Sequence, residues 1–320
     1  MNAPVLAVDV GGTKFAVALI AADGTILAQT LRSTPPDTDP DATYAPCADA
    51  IAEVLGTRDA VPETLDVGIG SAGPIDTRSG TVSPVNIAAW RGYPLVASVR
   101  DTLVGLGVRE PRIRLAGDGH CIALGEHWLG AGRDVDTMVG MVISTGIGAG
   151  AVMNNRLLTG STGNAVHIGH TSVNAFGEVC ACGSVGCVEQ YARGPKMVET
   201  ALARGWAGGT DAKALCDAAR GGDALAREVI DDAMRYLAAG VAACAIYLDI
   251  DFFVVGGGVS HAGDVIFEPL RRHLRRFTVL HFVRDLTVVP AELQNAGLVG
   301  AASLGLSLSG RGPLAAEPAS

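Results

Sequence analysis

Two histidines and three cysteines crowd into residues 163–191, GNAVHIGHTSVNAFGEVCACGSVGCVEQY, a stretch otherwise built of turn residues. His170, Cys180, Cys182 and Cys187 follow the spacing H-x9-C-x-C-x4-C. Three soft thiolates and one imidazole make a complete tetrahedral zinc site, and Gly183 and Gly186 permit the sharp bends between ligands. With all four places filled by protein, no position remains for an activated water, so such a metal is structural. Its expected task is to fix the loop ends so that His167, His170 and Glu189 face a substrate.

Three glycine-rich turns follow apolar strands: Asp9-Val10-Gly11-Gly12-Thr13-Lys14, Ser144-Thr145-Gly146-Ile147-Gly148-Ala149-Gly150, and Gly256-Gly257-Gly258. Glycine lets a backbone approach a ligand closely and aim several N–H groups at one anion. The first two turns join strand to strand, so neither the helix-opening phosphate loop nor the dinucleotide fingerprint applies. The expected ligand is a nucleotide, held by Asp9, Gly11, Gly12, Thr13, Thr145, Gly146, Gly148 and Gly256–Gly258. Asp118, in LAGDGHC, ends a strand where a helix begins. Residue type and position alone fit two roles equally: a general base, or the N-cap of that helix.

These groups need a scaffold. PVLAVDVGGTKFAVALIAADGTILAQT reads as strands Val5–Val10 and Phe15–Ile20 joined by a tight turn, with a third strand following. A Pro-rich loop precedes a helix expected from about Tyr44 to Leu55. TMVGMVISTGIGAGAVMNNRLL then repeats the opening design, helices follow around 189–204, 211–220 and 223–247, and DFFVVGGGV closes as another strand. Two α/β halves that open alike imply a duplicated fold with a cleft between lobes and a hinge near 118–136. The expected division is a lobe 1–118 completed by a helix at about 296–308, a lobe 119–295 carrying loop 163–191, and a disordered tail 309–320.

Composition narrows the function. A net charge of −9 leaves no basic excess to displace counterions, which argues against a nucleic-acid partner. No apolar run approaches the ~18 residues of a membrane span. Asp9 interrupts the first apolar run, so no signal peptide is legible. Seven cysteines, an odd number, suit a reducing cytoplasm and a metal better than a disulfide framework.

The motifs DVGGTK (9–14), GIGSAGPID (68–76), VNIAAW (85–90), GDGHCIALGE (117–126), STGIGAG (144–150), the Cys/His loop and VVGGGV (254–259) resemble, in order, those of the ROK family of repressors and kinases. That resemblance, over roughly residues 4–308, implies a two-lobed actin-like (ribonuclease H-like) ATPase fold and ATP-dependent, Mg²⁺-assisted phosphorylation of a hexose 6-hydroxyl. It implies Asp118 as general base, Asp9 facing Mg²⁺-bound phosphates, and Gly73, Asn86, Gly117, Asp118, His167, His170 and Glu189 around the sugar. It further implies zinc on His170, Cys180, Cys182 and Cys187 but not on His167, and a homodimer. Repressors of this family carry a DNA-binding segment ahead of the phosphate loop, for which the turn at residue 9 leaves no room.

The chain departs from the family at two places. Gly117-Asp118 stands for Asn-Asp, and His167-Ile168-Gly169-His170 for Glu-x-Gly-His. Gly117 removes an amide donor and leaves room beside retained carboxylates, a setting for an ammonium, which only donates. An amino sugar such as kanosamine is therefore the candidate substrate; glucose, mannose and N-acetylhexosamines are the alternatives, and a catalytically weak sugar sensor is the competing class.

Overall fold

The computed structural model describes residues 3–36 and 39–313. The chain separates into two compact units, one comprising the residues up to Asp136, Gly150–Ala165 and those from Leu293 on, the other Thr137–Ala149 and Val166–Glu292. Among the described residues no helix is long and apolar enough to cross a membrane.

In the first unit, strands β1 (Val5–Val10), β2 (Lys14–Ile20) and β3 (Ile26–Ser33) form an antiparallel meander, and β4 (Thr64–Ser71) and the later β7 (Glu110–Gly117) lie parallel to β1, giving the order β3-β2-β1-β4-β7. The short ribbon β5 (Ile75–Asp76) and β6 (Thr81–Val82) follows β4. Alternation along β1 decides the two faces. Leu6, Val8 and Val10 enter a core with Phe15, Ile51, Trp90 and Leu103, covered by α1 (Pro40–Leu55) and α2 (Leu95–Gly105). Helix α1 starts four residues before the expected Tyr44, because Asp39 accepts from the N–H groups of Asp41 (2.8 Å) and Ala42 (2.9 Å) and Pro40 fits the first helical position.

The other face of that sheet carries α9 (Ala296–Leu306), with α3 (Asp118–Leu129) packed upon it. Glycines bring these backbones together: a side chain on Gly68 would overlap the Ala301 carbonyl, one on Gly300 the Cys121 carbonyl, and one on Gly125 the Ala296 carbonyl. The compact unit therefore runs past the expected boundary at 118 and takes in all of α3. The tail expected from residue 309 is ordered as far as described. Arg311 donates to the Ala3 carbonyl (2.6 Å) and to buried Asp66 (2.8 Å), and residues 314–320 lie outside the described residues.

The second sheet has the order β10-β9-β8-β11-β12, the first sheet's pattern again: the antiparallel run β8 (Met138–Ile143), β9 (Ile147–Met153), β10 (Arg156–Leu157), then β11 (Phe252–Gly256) parallel to β8 and β12 (Thr287–Pro290) parallel to β11. Between β10 and β11 come α4 (Glu189–Ala192), α5 (Gly194–Ala203), α6 (Ala212–Arg220) and α7 (Ala224–Leu248), and α8 (Asp264–Phe277) lies between β11 and β12.

The α3–α9 contact has no space for a methyl group. Gly300→Ala should cost about 3 kcal/mol or more and move the first unit's denaturant midpoint down with its m-value unchanged.

Candidate active site

Each unit gathers its candidate residues where parallel strands end, the edge at which open α/β sheets bind ligands. In the first unit Val10 pairs with Ser71 and Ser71 with Gly117, so the segments starting at Gly11, Ala72 and Asp118 leave the sheet at one level.

Asp9 shares the face of Val5 and Ala7 and reaches the first turn of α9. Its Oδ2 lies 2.7 Å from where a Cβ on Gly297 would stand, so glycine there lets the carboxylate rest over the helix N-terminus. Burial pushes the Asp9 carboxyl up from an ordinary 3.8 to about 7; Asp118 pushes the same way and Lys14 opposes. Asp118 is the first residue of α3, half-buried, and accepts from the Gly119 N–H (2.7 Å). Gly117, with extended backbone (φ −66, ψ 152), takes the N-cap position instead, which removes the capping role as the reason for Asp118. The half-buried pair of like-charged carboxylates suits a hard dication, which would supply the missing positive charge. Cys121, fully buried one turn along α3, has its thiol held well up by burial and by both aspartates, so it stays neutral there.

The first glycine turn closes with Gly11 N–H donating to the Lys14 carbonyl (2.9 Å). Thr34 braces it, its hydroxyl donating to Gly11 O (2.9 Å) and its N–H to Thr13 O (3.0 Å). A Cβ on Gly12 would overlap the Asn86 amide, so Asn86 lies across the turn. The Asn86 segment is clamped by Arg91, which donates to the carbonyls of Pro84 (2.9 Å), Ile87 (2.9 Å) and Trp90 (2.7 Å). The Gly73 carbonyl accepts from Val85 N–H (3.3 Å), tying Gly73 to the same segment. Beside Gly117 the expected room is partly taken, for a Cβ there would stand 3.2 Å from His120 Nδ1.

In the second unit the turns after β8 and β11 meet. Gly257 (φ 89) backs onto β8 where a side chain would overlap the Ile143 carbonyl, and Val259 N–H donates to that carbonyl (3.1 Å). Thr145 and Gly146 lie in the first of these turns, whereas Gly148 belongs to β9. Glu189 closes the arrangement: its Oε2 accepts from Ile147 N–H (2.7 Å) and lies 2.8 Å from a Cβ position on Gly146. His167 is exposed, its ring 6.1 Å from that of His170. Although the side chain reaches solvent, partial desolvation of the ring by the surrounding loop holds its pKa down, His170 adds to this, and Glu189 opposes. The preceding Val166 has φ 63, a left-handed backbone that strains a β-branched residue and aims the 3-10 turn Ile168–His170.

His170, Cys180, Cys182 and Cys187 come together, with one ligand atom from each lying within 4.8 Å of all the others. Cys182 and Cys187 sulfurs are 3.7 Å apart, and His170 Nδ1 is 3.9 Å from Cys180 Sγ. Zn–S bonds of ~2.3 Å span a tetrahedron with edges of about 3.8 Å, so these two distances are compatible with a zinc donor set. Gly186 (φ 72) makes the bend before Cys187, where any side chain would overlap the Asn174 carbonyl.

Thr34, Cys121 and Gly297 join the first unit's site without having been singled out from sequence. Only Cys121 carried a signal, its i+3 spacing from Asp118 on one helix.

The sequence pattern of the ROK family matches residues 5–307. A glucokinase from Thermotoga maritima is 35% identical over 315 residues, covering 93% of this chain and 96% of that protein. An N-acetylmannosamine kinase from Escherichia fergusonii is 35% identical over 310 residues, covering 93% and 97%. The crystal structure of a ROK family glucokinase from Streptomyces griseus with glucose and AMPPNP superimposes with a TM-score of 0.79 at 33% identity, covering 94% of this chain and 98% of that one.

The raised pKa of Asp9 has a sign that can be measured. A folded-state carboxyl pKa above its unfolded value contributes stability that is present below about pH 4 and lost as pH rises through about 7. In metal-free protein, Asp9→Asn should gain on wild type across that window and melt roughly 5 °C higher at pH 8. Scanning calorimetry from pH 4 to 8 checks it; a pH-independent difference contradicts it.

Proposed function

The chain belongs to the ROK family, and from that membership we propose that it is an ATP-dependent carbohydrate kinase that transfers the γ-phosphoryl group to the 6-hydroxyl of a hexose or aminohexose. The observation that carries the reading is the carboxylate pair Asp9 and Asp118 at the carboxyl ends of β1 and β7, beside a glycine turn whose backbone can approach phosphates. Both commonly named kinds of relative, glucokinase and N-acetylmannosamine kinase, agree with it.

Asp118 accepts the proton of the 6-hydroxyl as that oxygen bonds to the γ-phosphorus and ADP leaves. Its hydrogen bond from Gly119 holds the carboxylate at the start of α3 with a lone pair turned to one direction. Gly11, Gly12 and Thr13 cradle phosphate oxygens in the first unit; Thr145, Gly146, Gly148 and Gly256–Gly258 hold the nucleotide in the second. Asp9 is the residue to hold Mg²⁺, which supplies neutralising charge to the phosphates when bound. Gly73, Asn86, His167, His170 and Glu189 orient the sugar, and orientation supplies much of the rate.

Within this class we favour an amino sugar. His120 Nδ1 lies 3.2 Å from the Cβ position of Gly117, where the family's asparagine would place a donor, and the loss of that amide donor suits an ammonium, which donates only. Zinc on His170, Cys180, Cys182 and Cys187 fixes the loop that ends at Glu189. None of the seven cysteines is joined in a disulfide, and a cytoplasmic protein is the reading we favour. A homodimer is the expected assembly, with no nucleic acid or membrane as partner.

Sugar-dependent ADP release, measured with Mg²⁺-ATP over a panel of hexoses, aminohexoses and N-acetylhexosamines, tests the reading. Asp118→Asn should lower kcat about 10³-fold with melting temperature held, and kcat/KM should favour kanosamine over glucose. Undiminished turnover in Asp118→Asn sinks the base assignment; a preference for glucose sinks the amino-sugar one. Mass spectrometry of the metal content should find one zinc per chain, lost in Cys187→Ser.

A further inference from the structure

Asn164 opens the histidine-bearing segment, and no part of the proposed chemistry uses it. Its side chain lies on β5, 89 residues earlier: Ile75 N–H donates to Asn164 Oδ1 (3.0 Å), and Asn164 Nδ2 donates to the Ile75 carbonyl (2.7 Å). Ile75 faces Val82 of β6 on one side and is 5% exposed, so both of its backbone groups need partners. A carboxamide, acceptor and donor at once, meets both as a third strand would. The loop that delivers it is built for close approach. Gly163 has φ 86, and a Cβ there would stand 2.5 Å from Thr77 Cγ2. Ala165 N–H donates to Thr159 O (3.1 Å), which closes the loop on itself.

Holding Ile75 holds what lies on either side of it. Pro74 O accepts from Ser83 N–H (2.8 Å) and Gly73 O from Val85 N–H (3.3 Å), so Gly73 and the approach to Asn86 are laced to the same ribbon. Asn86 then crosses Gly12. Arg91 secures the far end of this segment through Pro84, Ile87 and Trp90, and Asn164 secures the near end. Strands β5 and β6 have two residues each, too few to stand as a ribbon unaided. Every residue in this chain of contacts belongs to the first unit.

We propose that Asn164 is a positioning residue for the sugar, whose carboxamide keeps β5, Gly73 and Asn86 in the arrangement that receives the substrate. The proposal rests on the reading that sets Gly73 and Asn86 beside the sugar. Asn164→Asp keeps the shape and still accepts from Ile75 N–H, but a carboxylate has no donor for the Ile75 carbonyl. With that bond gone the ribbon samples other arrangements, and the fraction of molecules ready to bind sugar falls. Apparent KM rises by that fraction, while bound sugar restores the arrangement and leaves turnover intact.

Steady-state kinetics with Mg²⁺-ATP and the best-used sugar of the panel tests this. Asn164→Asp should raise the sugar KM about tenfold, with kcat and the ATP KM at saturating sugar within about twofold of wild type. Asn164→Ala, which loses both bonds, should raise it at least as far. An unchanged sugar KM, or a fall in kcat with KM held, marks a merely structural contact and overturns the proposal. Amide exchange separates the pin from the sugar reading. In wild type Ile75, Ser83 and Val85 should open together, with matched protection factors, and Asn164→Asp should lower all three alike. Unmatched protection in wild type overturns the pin, and that measurement needs no variant to fold. Matched protection with an unchanged sugar KM overturns the placing of Gly73 and Asn86 at the sugar, and the positioning role falls with it. A wild type that phosphorylates no sugar overturns the kinase reading, and exchange alone then decides on the pin.

Discussion

Helix α3 must lie directly on the backbone of α9, and most of the first unit's chemistry follows from that. Glycines at 125 and 300 remove the side chains that would hold the two helices apart, and Gly68 seats α9 equally closely on β4. Close seating puts the first turn of α3 level with the end of β7 and the first turn of α9 beneath Asp9. A helix pair one methyl further apart would separate the two aspartates and lose the carboxylate contact at Gly297. The polar geometry of the site is thus fixed by an apolar constraint, the absence of Cβ atoms.

The two sheets repeat one plan: three antiparallel strands, then two more in parallel on the far side of the first. The plan leaves carboxyl ends of parallel strands at one edge of each unit, and the sequence furnishes the two edges differently. The first carries charge, as Asp9 and Asp118. The second carries glycine turns held from below, with Glu189 bound to Ile147 and Gly257 pressed on Ile143.

Much of this was legible in the sequence because it depends on local spacing. The cysteine and histidine intervals, the glycine turns and the repeated hairpin each lie within about twenty residues and have few physical interpretations. The strand-end position of Asp118 was equally legible, but its N-cap reading fell only when Gly117 proved to hold the cap. What escaped depends on contacts between distant segments. Thr34 bracing Gly11 and Leu293 reaching Glu126 leave no periodic trace, and the ordered end at Arg311 rests on its pairing with Asp66. Helices α2 and α8 had no counterpart in the reading, and α8 contains Pro269, which breaks the expected pattern. Gly117 was read correctly as a missing side chain and incorrectly as open space, since His120 from the next turn leans into it.

Arg311 also joins the beginning of the described chain to its end, through Ala3 on one hand and Asp66, itself paired with Arg112 (2.6 Å), on the other. Ala3 and Arg311 are thereby held side by side, so the described segment returns to where it starts. Its connectivity could be cut at another surface turn and sealed here without altering the neighbours of any strand, so the order in which segments are encoded matters less to this architecture than which segments touch.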